Sequence, residues 1–526
     1  MTSPTPKYAL AIDMGSGSVK ATIVSTEGDI AGTALRHTAM KIMAGGGAEQ
    51  DPEEWWRAAC AAAKDALKKA HIVRERVIVV ACTTQWSVTV PVDENALPVG
   101  PAISWMDRRG GKYNRAITNG FPKIQGYGLF KLLKWLRYTG GVPTLSGVDG
   151  LAHILYFKND RPDIYSRAHK FLEPMDYLCA RMTGQIAASY ASMFPYWLTD
   201  IRDPNRIDYV PELIAMAGLD RAKLPDLRPV DAVLGTLKPE VATEIGLLPS
   251  TRVVMGFGDS HAATVGAGAV QNFQGYFSIG TTAWMSCHVP AKKIDPLHMM
   301  TAMPAALPGR YMISAEQGAA GRCLELLKDL FYPDGGKNFP GDPYDDLNRL
   351  AAEAEPGCEG LIFTPWINGV LAPQEDVATR SAFFNQTART TRGHYARAVM
   401  EGVAFNLRWV KRHVEKFAGR PFPHLNFIGG GAASNLWSQI LADVLECPVR
   451  QVANPRSANG VGAAMAAFAA LGEISVDDIS SRIKIAAEYT PNPANRAVYD
   501  RNFHEFLALY KANRAIYKRL NRPTLD

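Results

Sequence analysis

The chain has 526 residues, of which 47% are hydrophobic and 21% charged, with a formal net charge of +6. These values are ordinary for a globular protein, and the length predicts two large domains, since one domain usually spans about 100–200 residues. The small net charge excludes the dense basic surface of a nucleic-acid-binding protein, and no apolar run is long enough to span a membrane.

Cysteine usage and the first residues indicate the cellular compartment. The seven cysteines are scattered, without CxxC spacing or a Cys/His cluster, which is typical of a reducing environment. The apolar run at residues 8–12 is too short for a signal peptide. We therefore predict a cytoplasmic protein whose partners include neither a membrane nor a nucleic acid.

The first half of the chain predicts an α/β domain that opens with a β-hairpin. A buried strand at residues 8–12 runs directly into a turn at residues 13–18, which a second strand follows. Asp51 is the predicted N-cap of a helix that begins at Pro52. Later come a predicted strand at residues 77–82, a segment at residues 102–105 that leads into Met106 and Asp107, and predicted helices between residues 131 and 172.

The pattern of a strand followed by a glycine-rich turn recurs from residue 253 onward. A strand at residues 253–255 leads into a turn at residues 256–261 and an Ala/Gly-rich helix. Another strand, at residues 276–279, precedes Gly280. Further predicted elements are a helix at residues 392–416, a strand at 425–428, a glycine loop at 429–431, a helix from Leu436 and a last helix at 493–520.

Three glycine-rich turns follow short apolar strands, at residues 15–18, 280–282 and 429–431. Such turns present backbone N–H groups that bind phosphate without a side-chain clash. One turn is a weak signal, but three indicate a nucleotide held between two domains. The dinucleotide-binding and Walker A patterns fail, because Lys20 and His261 stand where GxGxxG needs its third glycine, and no Gly-Lys step precedes Ser or Thr.

Two aspartates supply the other groups that phosphoryl transfer from ATP to an alcohol needs. The reaction requires a Mg²⁺ ion held by a carboxylate and water, and a carboxylate that accepts the hydroxyl proton. Asp13 ends a strand beside a hydroxyl-rich turn, where it can hold Mg²⁺ through water. Asp259 lies between a glycine turn and a helix N-terminus, whose dipole favours an ionised carboxylate. A simple helix cap is the alternative for Asp259.

Eight segments together resemble the FGGY carbohydrate kinases over nearly the whole chain, and xylulokinase-like members most. They follow the family's order and spacing, which makes the match specific. They are AIDMGSGSVKATIVSTEGDI, EQDPEEWW, PAISWMDRR, NDRPDIY with FLEPMDYLCARMTG, GFGDSHAATVGAGAV, FSIGTT, RAVMEGVAFNLR and FIGGGAASNLWSQILADVLECPV. The resemblance implies an α/β fold of two actin-like (ribonuclease H-like) lobes with the nucleotide in the cleft between them. We place the lobes at residues 7–269 and 270–526.

The resemblance also implies residue roles, with ATP and Mg²⁺ as cofactors and a small sugar or polyol as substrate. Asp13 falls next to Mg²⁺, and Asp259 falls on the catalytic base beside the substrate. The residues implied for the phosphate turns and the adenosine motif are Gly15, Ser16, Ser18, Gly280, Thr281, Gly430, Gly431 and Asn435. The sugar-facing segments carry Gln85, Trp86 and Asp107. The oligomeric state is left open, with a homodimer as one alternative.

Several residues depart from the family's pattern on the sugar side. Trp86-Ser87 replace the Met-His of xylulokinases and the Arg-Glu of glycerol kinases, so a sugar-binding histidine is missing. Ser260 replaces the usual Asn after the catalytic aspartate. The other departures are His153 for Lys, Tyr156 for Trp, Ala188-Ser189 for Thr-Asp and Asn385 for Gly. These changes leave the nucleotide half intact and the identity of the sugar open.

The predicted function is ATP-dependent phosphorylation of a hydroxyl of a small ketose or polyol, with a pentulose favoured. One alternative is an actin-fold nucleotide-binding sensor or scaffold without sugar chemistry, which the intact Asp13 and Asp259 disfavour. A dinucleotide-dependent oxidoreductase is disfavoured by the failed GxGxxG pattern. Trp86 either stacks on the sugar or fills the core. His261 is expected to be a packed or hydrogen-bonded histidine, since no second His or Cys lies near it in the sequence.

Overall fold

The computed structural model describes residues 6–521, which form two α/β lobes that are each built on one mixed β-sheet. The strands of the N-terminal sheet are β1 (Tyr8–Met14), β2 (Ser18–Ser25), β3 (Ile30–His37), β4 (Val77–Thr84), β5 (Val233–Thr236), β6 (Arg252–Val254) and β7 (Phe257–Gly258). Their spatial order is β5-β6-β4-β1-β2-β3, with β7 beside the end of β4.

The C-terminal sheet has eight strands in the spatial order β10-β11-β12-β9-β8-β13-β14-β15. These strands are β8 (Gly275–Ile279), β9 (Thr282–Val289), β10 (Ile294–Asp295), β11 (Met300–Pro304), β12 (Tyr311–Ala319), β13 (Leu425–Ile428), β14 (Val449–Val452) and β15 (Ile485–Tyr489). Short strands outside the two sheets are Lys41–Met43, Gly47–Gln50, Val90–Val92, Ala102–Ile103, Lys123–Ile124, Tyr127–Gly128, Lys170–Leu172, Ala188–Ser189, Thr199–Asp200, Asp208–Tyr209, Leu227–Arg228, Ile362–Thr364 and Ala382–Phe384.

Helices cover the faces of both sheets. They are α1 (Pro52–Ala70), α2 (Gly111–Thr118), α3 (Leu129–Thr139), α4 (Gly150–Asp160), α5 (Pro162–Arg167), α6 (Pro174–Thr183), α7 (Pro211–Ala217), α8 (Pro239–Ile245), α9 (Asp259–Gly266), α10 (Gly321–Phe331), α11 (Pro343–Glu353), α12 (Arg392–Ala418), α13 (Asn435–Leu445), α14 (Ala458–Ala470), α15 (Ile479–Arg482) and α16 (Arg496–Leu520). As the sequence predicts, Asp51 caps α1 by accepting the Glu53 N–H at 2.9 Å.

Strand β1 is buried on both faces, which explains its continuous apolar run. Leu10 and Ile12 pack into the core on one side of the sheet, and Ala9 and Ala11 pack into the core on the other. Successive residues of a strand point to opposite faces, so a strand covered by helices on both sides needs no polar alternation.

Both lobes begin with the same arrangement of strands. β1 pairs antiparallel with β2 and parallel with β4, and β8 pairs antiparallel with β9 and parallel with β13. The predicted glycine turns therefore lie at the carboxyl ends of parallel strands. In open α/β sheets this edge is where ligands bind.

Helices α9 and α14 cross at glycines and join the lobes. A Cβ atom on Gly462 would lie 1.9 Å from the Ala262 carbonyl oxygen, and one on Gly266 would lie 1.8 Å from the Ala458 carbonyl oxygen. Helix α14 thus belongs by sequence to the C-terminal half but shares a buried core with β1 of the N-terminal lobe. The division at residues 269–270 stays a prediction.

The structure refines several predicted boundaries. Helix α9 ends at Gly266, and the predicted helical region of residues 131–172 contains three helices and a short strand. The last helix starts at Arg496 after a 3₁₀ turn at Pro493–Asn495. No helix within residues 6–521 combines the length and apolar character needed to cross a bilayer. All seven cysteines are buried free thiols.

Candidate active site

Asp13 and Asp259 lie at the same edge of the N-terminal sheet. Asp13 is opposite Thr83 in the parallel pairing of β1 with β4, and Thr83 is opposite Phe257 in the pairing of β4 with β7. Asp259 begins α9 directly after β7. The two carboxylates, 246 positions apart in the sequence, therefore converge because parallel strands end together.

The environment of Asp259 keeps its carboxyl group easy to protonate. Burial contributes most to raising its pKa to about 7, and the negative charge of Asp13 adds to the effect. Glu316 on β12 raises it further, while the Ser260 N–H, which donates to Oδ1 at 2.7 Å, lowers it. A carboxylate with such a pKa is suited to accept a proton near neutral pH.

Asp13 contacts the other lobe. Burial raises its pKa, whereas the positive charge of Lys20 and a hydrogen bond from Asn459 lower it. Asn459 lies in the first turn of α14, and the Lys20 Nζ donates to the Arg456 carbonyl at 2.6 Å. Asn459 is not among the site residues predicted from the sequence; its only signal is a polar residue at the start of an otherwise small and apolar helix.

The pKa of Asp259 predicts how activity depends on pH. If Asp259 is the base, only its carboxylate form is active, so kcat/KM should fall as the pH decreases through a value near 7. The measurement is a pH profile between about pH 5 and pH 9 at saturating nucleotide. A profile that is flat over this range contradicts the assignment, and Asp259→Asn should lack the acid limb.

A backbone hydrogen bond closes each of the two predicted phosphate turns, between residues i and i+3 in the first turn and between residues i and i+2 in the second. The Gly15 N–H donates to the Ser18 carbonyl at 2.9 Å, and the Gly280 N–H donates to the Thr282 carbonyl at 2.9 Å. Gly321, the first residue of α10, packs against the second turn, since its Cβ would lie 2.3 Å from the Gly280 carbonyl oxygen. The start of a helix beside a glycine turn is a favourable place for phosphate.

A cavity of about 260 Å³ lies between the second phosphate turn and the glycine loop after β13. Its lining includes Gly280, Thr281, Arg322, Tyr344, Asn348, Met400, Gly430, Gly431, Ser434 and Trp437. Asn435 does not line this cavity; its side chain accepts from Gln451 Nε2 at 3.3 Å. Four of the five predicted nucleotide residues of this lobe thus meet around one cavity.

The first predicted sugar segment is hydrogen-bonded to the first phosphate turn. Ser16 Oγ donates to Gln85 Oε1 at 2.9 Å, and Gln85 Nε2 donates to Gln50 Oε1 at 2.7 Å. Trp105 Nε1 donates to Ser16 Oγ at 3.2 Å. Gln50 and Trp105 are not among the site residues predicted from the sequence. The Trp105 side chain is 44% exposed, which is a large exposed fraction for a tryptophan.

The structure does not leave the Asp107 carboxylate open to the cleft. Asp107 is 1% exposed and accepts from the Ala48 N–H at 2.9 Å and from the Arg109 guanidinium. Arg109 also donates to Glu49 at 2.7 Å and to the Tyr156 hydroxyl at 2.8 Å. In this conformation Asp107 orients Arg109, and the predicted sugar contact of Asp107 stays a prediction.

Trp86 and His261 lie beside Gly258, the residue before Asp259, and Ser87 follows Trp86 in the chain. The Trp86 ring lies edge-on to His261 with centroids 4.9 Å apart, and its Nε1 donates to the Ser192 carbonyl at 2.9 Å. His261 is buried, its Nε2 lies 2.9 Å from the Pro304 carbonyl oxygen, and burial lowers its pKa to about 4. It is therefore a packed neutral histidine. Ser87 Oγ donates to the Val148 carbonyl at 3.0 Å.

Comparison with known proteins decides the family. A model of the N-terminal domain of the FGGY family of carbohydrate kinases matches residues 8–266, and a model of the family's C-terminal domain matches residues 275–471. The chain belongs to the FGGY family of carbohydrate kinases. The predicted enzyme class is thereby confirmed, and as a kinase of this family the protein uses ATP.

Relatives and a solved structure agree with this family. A xylulose kinase from Lactococcus lactis is 28% identical, over 96% of both chains, and a gluconokinase from Bacillus subtilis is 25% identical, over 92% of both. The structure of a ligand-bound xylulose kinase from Lactobacillus acidophilus superimposes with a TM-score of 0.84 over 98% of this chain and 100% of that one, at 22% identity. The predicted two-lobed actin-like fold is confirmed.

Asn385 shows how the structure accommodates one departure from the family. It has a left-handed backbone with φ of +67°, the conformation for which glycine is the usual residue. Asn is one of the few other residues that adopt this conformation routinely, and here its Nδ2 donates to the Gly360 carbonyl at 3.2 Å. The replacement of Gly by Asn therefore preserves the turn.

Proposed function

We propose that this FGGY kinase transfers the γ-phosphate of ATP to a hydroxyl of a small ketose or polyol, with a pentulose favoured. The observation that carries the proposal is the pairing of two sites. The acids Asp13 and Asp259 lie at the strand ends of one lobe, and a glycine-lined cavity lies at the strand ends of the other.

Asp259 is the proposed general base. Its carboxylate accepts the proton of the attacking hydroxyl while the new O–P bond forms and the bond from the γ-phosphorus to the bridging oxygen of ADP breaks. Charge balance is kept, since the proton moves to Asp259 and the electron pair leaves with ADP. Closure of the lobes around the substrate would exclude water and so limit wasteful hydrolysis of ATP.

Mg²⁺ fits the acid pair as a cofactor. Asp13 and Asp259 are close enough for the charge of Asp13 to raise the pKa of Asp259, and a divalent cation beside Asp13 would offset that repulsion. Mg²⁺ is usually held by one or two carboxylates together with phosphate oxygens and water, so a single aspartate suffices. Asp13 is the residue that would hold the ion, which would offset the charge of the ATP phosphates.

The nucleotide is proposed to bind across both glycine turns, with adenosine in the cavity beside Gly430. The first turn, with Gly15, Ser16 and Ser18, and the second, with Gly280, would contact the phosphates through backbone N–H groups. The sensor or scaffold alternative predicts nucleotide binding without any sugar-dependent release of ADP. Measurement of ADP release therefore distinguishes it from the proposed kinase. The predicted cytoplasmic location and the open homodimer stay predictions.

A screen for ADP release tests the proposed reaction and one further prediction. The screen covers ketoses, polyols and D-gluconate with ATP and Mg²⁺, and at least one ketose or polyol should stimulate ADP release. We expect D-xylulose not to be the best of them, because Ser87 replaces the sugar-facing His and its hydroxyl is already bonded to Val148.

Two outcomes of the screen would each contradict one of these expectations. If nothing stimulates ADP release from a preparation that binds ATP, the proposed kinase reaction is wrong and the scaffold alternative gains support. If D-xylulose gives the highest kcat/KM by a wide margin, the inference from Ser87 is wrong while the kinase assignment stands. Denatured protein is the matched blank for both measurements.

A further inference from the structure

Glu316 places a third carboxylate in the cleft, on the C-terminal lobe. In β12 its neighbours Ala315 and Gln317 are buried, whereas Glu316 itself is exposed. Alternate strand residues point to opposite faces, so Glu316 lies on the face away from the lobe's core. Position 316 lies outside the eight segments that resemble the FGGY family.

A chain of contacts ties Glu316 to the residue after Asp259. Glu316 is directly opposite Trp284 in the antiparallel pairing of β12 with β9. Trp284 Nε1 donates to the Tyr276 hydroxyl at 3.0 Å, and that hydroxyl donates to the Ser260 carbonyl at 3.2 Å. The negative charge of Glu316 also raises the pKa of Asp259, which agrees with a position of Glu316 close to Asp259.

The Glu316 carboxylate has no partner among the residues that the structure describes. Across residues 6–521 its side chain takes part in no hydrogen bond and no ion pair, and only its backbone carbonyl accepts, from the Ala372 N–H at 2.9 Å. The surrounding protein raises its pKa by desolvation, so the carboxylate gains from any hydrogen-bond donor that enters the cleft. Sugar hydroxyls are such donors.

We propose that Glu316 is a specificity-determining residue that accepts hydrogen bonds from hydroxyls of an uncharged acceptor and disfavours acceptors that carry a carboxylate. This rests on the proposed function and narrows its substrate class to neutral ketoses and polyols. The distinction matters because both a xylulose kinase and a gluconokinase are relatives of this chain.

The charges near the proposed acceptor site support a neutral acceptor over one that carries a carboxylate. Asp13, Asp259 and Glu316 are all acids, and the positive charge of Lys20 lowers the pKa of Asp13. Lys20 itself donates to a backbone carbonyl of the other lobe. An aldonate such as gluconate would bring a negative charge into this acidic region without a basic residue at Glu316 to receive it.

The test compares three variants with the wild-type protein. Glu316→Ala removes the acceptor, Glu316→Gln removes only the charge, and Glu355→Ala is the matched control, since Glu355 is also exposed and its side chain makes no hydrogen bond or ion pair among the described residues. Each is assayed with D-xylulose, D-ribulose, xylitol and D-gluconate. Binding of the same four compounds is also measured by calorimetry without nucleotide or Mg²⁺.

The Glu316 variants are expected to change the kinetic constants for the acceptor and not those for MgATP. Glu316→Ala should lower kcat/KM for the best neutral compound by about 10- to 100-fold, mainly through KM, because a hydrogen bond to a charged group is lost. Glu316→Gln should raise the ratio of kcat/KM for gluconate to that for the neutral compound at least about tenfold. The KM for MgATP and the behaviour of Glu355→Ala should stay within twofold of wild type.

Three outcomes overturn the proposal. The first is that the KM for the acceptor, and the ratio of kcat/KM for gluconate to that for the neutral compound, both stay within twofold of wild type in the Glu316 variants. The second is a changed Mg²⁺ dependence with an unchanged acceptor KM, which assigns Glu316 to the metal. The third is wild-type protein that binds gluconate more tightly than every neutral compound. If wild type binds a neutral compound but never phosphorylates it, the proposed kinase reaction fails while the binding comparison still decides the role of Glu316.

Discussion

Replacing Asp259 by asparagine is expected to reduce turnover by about 10²- to 10⁴-fold, or about 3–5 kcal/mol of activation free energy. Asn keeps the size of the side chain, and its Oδ1 can still accept the Ser260 N–H that Asp259 accepts at 2.7 Å. It cannot accept the proton of the attacking hydroxyl. ATP affinity should persist, since Asp259 is not one of the residues around the nucleotide cavity.

The same variant should not be less stable than wild type near pH 8. Burial and the charge of Asp13 raise the pKa of Asp259 in the folded protein to about 7 from an ordinary 3.8. A carboxyl group with a raised folded pKa contributes stability at low pH that is lost as the pH rises through the folded pKa. Asn does not titrate, so Asp259→Asn avoids this loss, and its Tm at pH 8 should equal or exceed that of wild type.

Turnover, ATP affinity and Tm measured on one preparation decide the role of Asp259. Asp231→Asn is the matched control, because Asp231 is an exposed carboxylate of the same lobe that makes no side-chain hydrogen bond among the described residues. Turnover of Asp259→Asn within about threefold of wild type ends the assignment as base. Loss of ATP binding together with turnover points to a metal-binding or structural role instead.

Introducing valine at Gly430 is expected to weaken ATP binding by about tenfold to a hundredfold, or about 1–3 kcal/mol, without unfolding the protein. A Cβ atom at Gly430 meets no atom within 4 Å, and its backbone lies outside the left-handed region. Since Gly430 lines the nucleotide cavity, the valine side chain would occupy space proposed for adenosine. Gly430→Ala should show a smaller effect in the same direction.

The neighbouring glycine supplies a contrast for this experiment. Gly429 has φ of +89°, and a Cβ there would lie 2.5 Å from the Ile279 carbonyl oxygen. Gly429→Val should therefore lower the Tm strongly, whereas Gly430→Val should leave it within a few degrees. ATP affinity that is unchanged in a folded Gly430→Val protein shows that adenosine does not bind beside this residue.

The nucleotide half of the site could be predicted from the sequence because its signals are local. A short apolar strand, a glycine turn and an aspartate at the strand end are contiguous in the chain, and each limits its own backbone. The turns at Gly15, Gly280 and Gly430 and the helix start at Asp259 are accordingly found where the sequence predicts them. The alternation of strands and helices likewise predicts a two-lobed α/β fold.

The acceptor side was decided only by tertiary structure, because its groups come from distant parts of the chain. Asp107 looks like a free acid in the sequence, but folding brings the distant Ala48 N–H to its Oδ2, and the neighbouring Arg109 guanidinium donates to both oxygens. Asn459 reaches Asp13 only because α14 packs on the other lobe's sheet. Glu316 carries no local signal, and its place beside Asp259 depends on how two sheets face each other across a cleft, which no short stretch of sequence encodes.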